Sequence, residues 1–287
     1  MSQRPLPPQP TSTQLAPLPS QNSESLTTVI QACHNLICAF LARNYPHDSS
    51  QAAAQRQTRR SLDVIAEALN HYTLDQLAMS YNGGKDCLVL LVIFLAGLYP
   101  LLPLDEKRFP SIPAIYSRPA APFTAMEEFV ETSSNDYHLD IARYTMAGEM
   151  TMKASFEDYL DRHKSVKAIF VGTRSTDPFC DHLGHFNRTD GGWPDFMRIN
   201  PVIDWRYAEI WAFIRELHLE YCPLYDMGYT SIGSMHDTRP NPRLLAYGSE
   251  LTPIQSHRYQ PAFELVHGQE DERLGRTLVR GHTPPSD

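Results

Sequence analysis

The sequence predicts an α/β fold: a mostly parallel, twisted sheet flanked by helices, with a helical addition before it and a loop-rich segment after it. Three observations predict this. From Leu77 onward, short apolar runs alternate with 3.6-residue patterns, the order that βαβ units produce. The clearest strand, Val166–Gly172 (VKAIFVG), follows an amphipathic helix, which implies parallel pairing through a right-handed crossover. A glycine turn, Tyr81–Asp86, stands between a short apolar strand and an apolar helix.

The elements follow in order. Residues 1–24 hold six of the 23 prolines, with Arg4 as the only charge in the first 20 residues; this leader is expected to be solvated and disordered. It has no apolar h-region and too little basic charge for a secretory or mitochondrial address. Ser25–Ala42 places Leu26, Ile30, Cys33, Ile37, Phe40 and Leu41 on one helical face, and Ser50–His71 does the same with Leu62, Ile65 and Leu69. Leu77–Tyr81 reads as a buried strand and Asp86–Leu98 as a helix apolar all round. Ile112–Ser117 and Asp140–Tyr144 are strands, with helices at Phe123–Thr132 and Met150–Arg162. Gly172–Asp204 shows no sustained period, and so long an irregular stretch points to function. Tyr207–Leu219 is a helix, and the remainder is expected to lie as loops over the domain. The division expected is a leader (1–24), one α/β domain (25–280, with a catalytic core at 61–276) and a tail (281–287).

Composition excludes several classes. A net charge of −8 argues against a broad nucleic-acid or anionic-membrane surface, while leaving room for a small basic pocket. Cys87–Leu104 runs 18 residues without charge, but Pro100 and Pro103 cut it below the roughly 20 residues of a membrane span. Five scattered cysteines form no disulfide framework and fit a reducing compartment, so a cytoplasmic location is expected.

The turn Ser80-Tyr81-Asn82-Gly83-Gly84-Lys85-Asp86 has the ingredients of a phosphate site. Glycines let anionic oxygens approach backbone N–H groups, the following helix start adds unpaired donors, and Lys85 adds a full charge. It is not a Walker A loop: Ala78 and Met79 stand where the first glycine would be, and Asp86 replaces the Ser/Thr that would hold magnesium. It also lacks the G-x-G-x-x-G of a dinucleotide fold. The bland reading is a glycine turn that merely opens a buried helix.

This S-x-N-G-G-K-D loop resembles the pyrophosphate loop of the adenine-nucleotide α-hydrolase-like superfamily, the PP-loop ATP pyrophosphatases. Asn82 and Cys87 resemble its eukaryotic FAD synthase branch, which is also similar to PAPS reductase. Further motifs carry the resemblance from about Ser61 to Arg276: Gly172-Thr173-Arg174-Ser175-Thr176-Asp177-Pro178, Thr189-Asp190, Trp193-Pro194-Asp195-Phe196-Met197-Arg198, Asn200-Pro201, Asp204-Trp205, Gly228–Gly233, Asn241-Pro242 and Glu272-Arg273-Leu274-Gly275-Arg276. Leu274 stands where that family often has Ala. The length matches the short fungal type, without a molybdopterin-binding-like domain.

The resemblance implies transfer of AMP from ATP to FMN, giving FAD and pyrophosphate with Mg²⁺. It implies that Ser80, Tyr81, Asn82, Gly83, Gly84, Lys85, Asp86, Gly172 and Arg174 bind ATP phosphates, and that Asp177, Trp193, Arg198 and Arg276 bind the flavin. Asn82, Lys85, Asp177, Arg273 and Arg276 would be catalytic, and Asp177 a metal contact. Each has a plainer alternative: Asp86 as a helix-start carboxylate, Asp177 as an Asp-Pro turn, Trp193 as a core side chain, Arg198 as a surface ion-pair partner, and Arg273 and Arg276 as a solvated helical face. If helical, those last two share a face and one anionic target. Cys180, His182 and His185 (C-x-H-x-x-H) lack a fourth ligand and are not read as zinc, and the Asn187 sequon has no signal peptide to make it relevant. Partners are expected to be ATP and FMN only, with a monomeric chain and no nucleic acid or membrane. Two rival readings remain: a PAPS reductase-like enzyme, whose C-terminal nucleophilic cysteine is missing here since the last cysteine is Cys222, and a non-catalytic nucleotide or flavin sensor.

Overall fold

The structure is a computed structural model and describes residues 25–246 and 259–277; the leader and tail expectations lie outside these. Six strands form one sheet in the order β3-β2-β1-β4-β6-β5. They are β1 (Leu77–Ser80), β2 (Ile112–Pro119), β3 (Leu139–Met146), β4 (Ala168–Val171), β5 (Phe186–Arg188) and β6 (Met197–Ile199). All neighbours pair in parallel except β5 with β6. The helices are α1 (Leu26–Ala42), α2 (Ser50–His71), α3 (Lys85–Gly97), α4 (Thr124–Asp136), α5 (Met152–Arg162), α6 (Tyr207–Glu216) and the single turn α7 (Gly268–Asp271).

Side-chain caps fix where helices begin. Ser25 Oγ accepts from Thr28 N at 3.4 Å, Ser49 Oγ from Ala52 N at 3.1 Å, and Thr151 Oγ1 from Ala154 N at 3.1 Å. Each satisfies a donor the helix itself cannot. Thr151 is why α5 starts at Met152 rather than Met150. α3 is apolar all round because it is buried all round: Leu88 to Ala96 are within 2% of full burial. The sheet lies on one side of it, and α1, α2 and α6 lie on the other, in one continuous apolar cluster. α5 covers the opposite face of the sheet, where Phe156 and Tyr159 pack on Ala78, Ile115 and Ile169.

The connectivity positions the site. From β1 the chain winds through α3 to β2 and through α4 to β3, moving toward one edge. From β3 it returns across the other face through α5 to β4, on the far side of β1. The winding direction therefore reverses between β1 and β4, and ligands in open α/β sheets bind beyond the strand ends at such a point. The Tyr81–Asp86 loop leaves β1 there, and Gly172–Asp177 leaves β4 beside it.

The stretch read as irregular, Gly172–Asp204, contains the β5–β6 hairpin. Three-residue strands are too short to establish a period-2 pattern. Expected strand boundaries differ in both directions: Tyr81 lies beyond β1 and β4 is Ala168–Val171, whereas β2 runs on to Pro119 and β3 spans Leu139–Met146.

Candidate active site

The loop's geometry follows from its residues. Gly83 has φ +71°, a conformation L side chains rarely adopt, and a Cβ there would lie 2.7 Å from Val130 Cγ2. Asn82 Oδ1 accepts from Gly84 N at 2.9 Å, folding the loop on itself. Gly84 then leads into α3, whose first N–H, that of Lys85, donates to the Tyr225 hydroxyl at 3.0 Å. Tyr81 does not face the loop opening. Its ring is buried and its hydroxyl bonds Ser133 Oγ at 2.8 Å, so the expected phosphate contact is replaced by a core role.

Lys85 and Arg174 are buried to 2% and 1% exposure, in a four-residue charge network. Lys85 Nζ donates to Asp86 Oδ2 at 3.0 Å and to Glu272 Oε1. Arg174 Nη2 donates to Glu272 Oε2, and Arg174 Nε meets Asp86 Oδ1 at 2.9 Å as an ion pair. Two cations and two carboxylates leave the cluster neutral. Burial alone would pull the Lys85 ammonium down and push the Asp86 carboxyl up. The paired charges outweigh it, so Lys85 is raised and Asp86 lowered. Lys85 is thus committed to internal carboxylates rather than freely offered to a β/γ phosphate. Glu272 and Tyr225, which complete this arrangement, had no role assigned from sequence. Glu272 stood within the quoted motif, overshadowed by its arginine neighbours.

Asp177 lies in the turn after β4. Its Oδ2 accepts from Arg174 N at 2.9 Å, and its Oδ1 lies 3.9 Å from Arg273 Nη1. Burial pushes its carboxyl above the ordinary aspartate value, despite the Arg174 N–H that favours the ionised form. Arg198, in the middle of β6, pairs in register with Ile169 and Asn187. It alternates with Ile199, which faces the α1–α3 side, and so points to the opposite face.

Arg273 and Arg276 do not share a helical face. α7 ends at Asp271, and both lie in the turn and bridge that follow. Arg273 approaches Asp177, whereas Arg276 Nη2 pairs with Asp237 Oδ2 at 3.2 Å over Gly233. The loop joining β5 to β6 leaves the amino ends of these strands and reaches α5, where a Cβ on Gly192 would lie 3.5 Å from Lys153 Nζ. There Trp193 packs edge-on against Phe156, with ring centroids 5.9 Å apart. Asn200 and Trp205 are likewise structural: Asn200 Nδ2 donates to Gly184 O at 2.9 Å and buried Trp205 Nε1 donates to Ser61 Oγ at 3.0 Å.

Among the described residues, three arginines keep buried N–H groups with no acceptor: Arg174 Nη1, Arg198 Nε and Arg276 Nε. Buried donors are normally satisfied, and an anion is the natural acceptor for several guanidinium groups. No group of three His, Cys, Asp or Glu that could hold a metal occurs among the described residues.

A phosphate-type loop at a switch point, backed by the buried network of Lys85, Asp86, Arg174 and Glu272, defines an α/β nucleotide-binding protein of the PP-loop kind. The model of the phosphoadenosine phosphosulfate reductase domain matches residues 76–240. A probable FAD synthase of Schizosaccharomyces pombe is 40% identical over 226 residues, covering 77% of this chain and 79% of that one. The flavin adenine dinucleotide synthase of Saccharomyces cerevisiae is 34% identical over 182 residues, 59% of this chain and 60% of that one. A crystal structure of Candida glabrata FMN adenylyltransferase in complex with FAD and inorganic pyrophosphate superimposes with a TM-score of 0.80 at 28% identity, over 88% of this chain and 97% of that one. The chain belongs to the FAD synthase family, within the phosphoadenosine phosphosulfate reductase-like fold.

Proposed function

We propose that this protein is an FMN adenylyltransferase: it transfers AMP from ATP to FMN, giving FAD and pyrophosphate. The observation that carries the reading is the set of buried, unsatisfied guanidinium N–H groups on Arg174 in the loop after β4, on Arg198 in β6 and on Arg276 in the C-terminal segment. Family membership supports the choice of substrates.

The phosphate oxygen of FMN attacks the α-phosphorus of ATP, the α–β bridging bond breaks, and pyrophosphate leaves. The nucleophile is anionic at neutral pH, so no strong base is needed; the obstacle is bringing two polyanions together. Positioning and charge stabilisation therefore carry the rate. The α3 start and the Gly83-Gly84 backbone receive the polyphosphate. Arg198, Arg273 and Arg276 neutralise and aim the phosphates, and Asp177 faces Arg273 at 3.9 Å. Lys85 and Asp86 shape the loop from beneath.

The donor set suits a Mg²⁺ carried mainly by substrate phosphates. Asp86 and Glu272 are engaged by Lys85 and Arg174, which leaves Asp177 as the carboxylate that would touch it. Such an ion supplies charge neutralisation of the leaving pyrophosphate. The protein acts as a monomer on small molecules, with one catalytic domain spanning about 61–276, in the cytoplasm. The five cysteines are all free, and no described helix is long and apolar enough to cross a membrane.

A PAPS reductase-like activity is disfavoured at Cys222, which is buried and whose thiol is pushed up to about 11 by burial. The test is FAD formation from ATP and FMN by the purified chain.

A further inference from the structure

We propose that Glu272 is a positioning residue: it latches the Arg273–Arg276 segment onto the phosphate loop and so aims Arg273 at the reaction site. The proposal rests on the adenylyltransferase reading above, and its test separates the two.

The segment 259–277 needs such an anchor. Its only α-helix is the four residues of α7, and an isolated turn of that size has little stability of its own. Glu272 joins it to three other parts of the fold. Its carboxylate bridges Lys85 Nζ on the loop after β1 and Arg174 Nη2 on the loop after β4. Its carbonyl accepts from Thr230 Oγ1 at 2.5 Å. The preceding carbonyl, that of Asp271, accepts from Asn241 Nδ2 at 2.8 Å, and Asn241 Nδ2 also reaches Thr230 Oγ1 at 2.9 Å. Thr230, Asn241 and Glu272 are all buried.

Arg273, by contrast, has a side chain 40% exposed, and its carboxylate partner Asp177 is 3.9 Å away. A half-solvated contact of that length fixes direction weakly. The backbone that launches Arg273 is fixed one residue earlier, by Glu272. The motifs around Gly228–Gly233 and Asn241-Pro242 gain a physical role in the same way. They supply Thr230 and Asn241, which hold the carbonyls of Glu272 and Asp271 on either side of the Glu272 Cα.

The test is a double-mutant cycle on the full chain with Glu272→Gln, Arg273→Ala and the double variant. Initial rates of FAD formation are measured against FMN concentration. Arg273→Ala alone should lower kcat/KM about tenfold or more, but by less than about threefold further when Glu272 is already Gln. Amide hydrogen exchange over 268–277 should rise in Glu272→Gln while α3 stays protected. Losses that multiply, a harmless Arg273→Ala, or exchange rising equally in α3 would each overturn the proposal. If Glu272→Gln does not fold, the same cycle is run with Glu272→Asp, which keeps the charge but shortens the reach; failure of both to fold would show core support and overturn it too. Wild-type protein forming no FAD would overturn the adenylyltransferase reading instead.

Discussion

A Cβ on Gly172 would lie 2.7 Å from Cys87 Sγ and 3.0 Å from both Cys87 Cα and Cys87 N. The end of β4 therefore rests directly on the first turn of α3, and this contact brings the two substrate-facing loops together. Gly172→Ala should destabilise the protein by about 1–3 kcal/mol through overpacking and lower activity by parting the loops. Adding Cys87→Ala removes the Sγ overlap but not the backbone contacts, so stability should recover only in part. Urea unfolding midpoints of the two variants check this; full recovery would show that backbone approach is not the constraint.

The neutral charge cluster makes a second prediction. Lys85→Met leaves Asp86 and Glu272 facing one cation, and breaking a buried ion pair by removing one partner costs about 3–5 kcal/mol. The double variant Lys85→Met/Glu272→Leu keeps the Asp86–Arg174 pair and restores neutrality. It should be more stable than Lys85→Met alone, as measured by denaturant unfolding. A double variant less stable than the single would contradict charge balance as the controlling factor.

Asp177 should be a functional group held at the expense of stability. Burial raises its folded pKa above the unfolded value, so its ionisation opposes folding above the ordinary aspartate range and ceases to matter below it. Asp177→Asn keeps an oxygen to accept the Arg174 N–H. It should lower FAD formation and raise the unfolding midpoint at neutral pH, and that gain should shrink as pH falls through the raised folded pKa and be gone below the ordinary aspartate value. A gain that is constant across pH would assign the effect to packing.

Thiol chemistry should play no part. Burial pushes the thiol of Cys87 up to about 12 and that of Cys222 up to about 11, so neither is a thiolate at neutral pH. Cys222→Ser should support FAD formation at the wild-type rate, and neither protein should reduce PAPS in the presence of thioredoxin. PAPS reduction lost with Cys222 would favour the rival chemistry.

The fold was legible where elements are long enough to show their period. α2 matches its expected span, and α1 begins one residue later because Ser25 is the cap. The hairpin of β5 and β6 was not legible, since Met197–Ile199 and Phe186–Arg188 are strands only by virtue of their pairing with β4 and with each other. The loop after β1 could be read because glycine, lysine and helix start are adjacent in sequence. What Lys85 does there could not: its carboxylate partner Glu272 is 187 residues away, and only the fold brings them together. Trp193 shows the converse. An aromatic in an irregular stretch reads as a ring-binding wall, but its packing on Phe156 of α5 is set by the fold and not by its neighbours in sequence.

The most direct measurement incubates the purified full-length chain with ATP, FMN and Mg²⁺ and follows FAD by chromatography and pyrophosphate by a coupled assay. FAD and pyrophosphate should appear in equal amounts, both dependent on ATP and FMN together. Folded protein that binds ATP and FMN yet forms no FAD would contradict that expectation and leave a sensor in place of an enzyme.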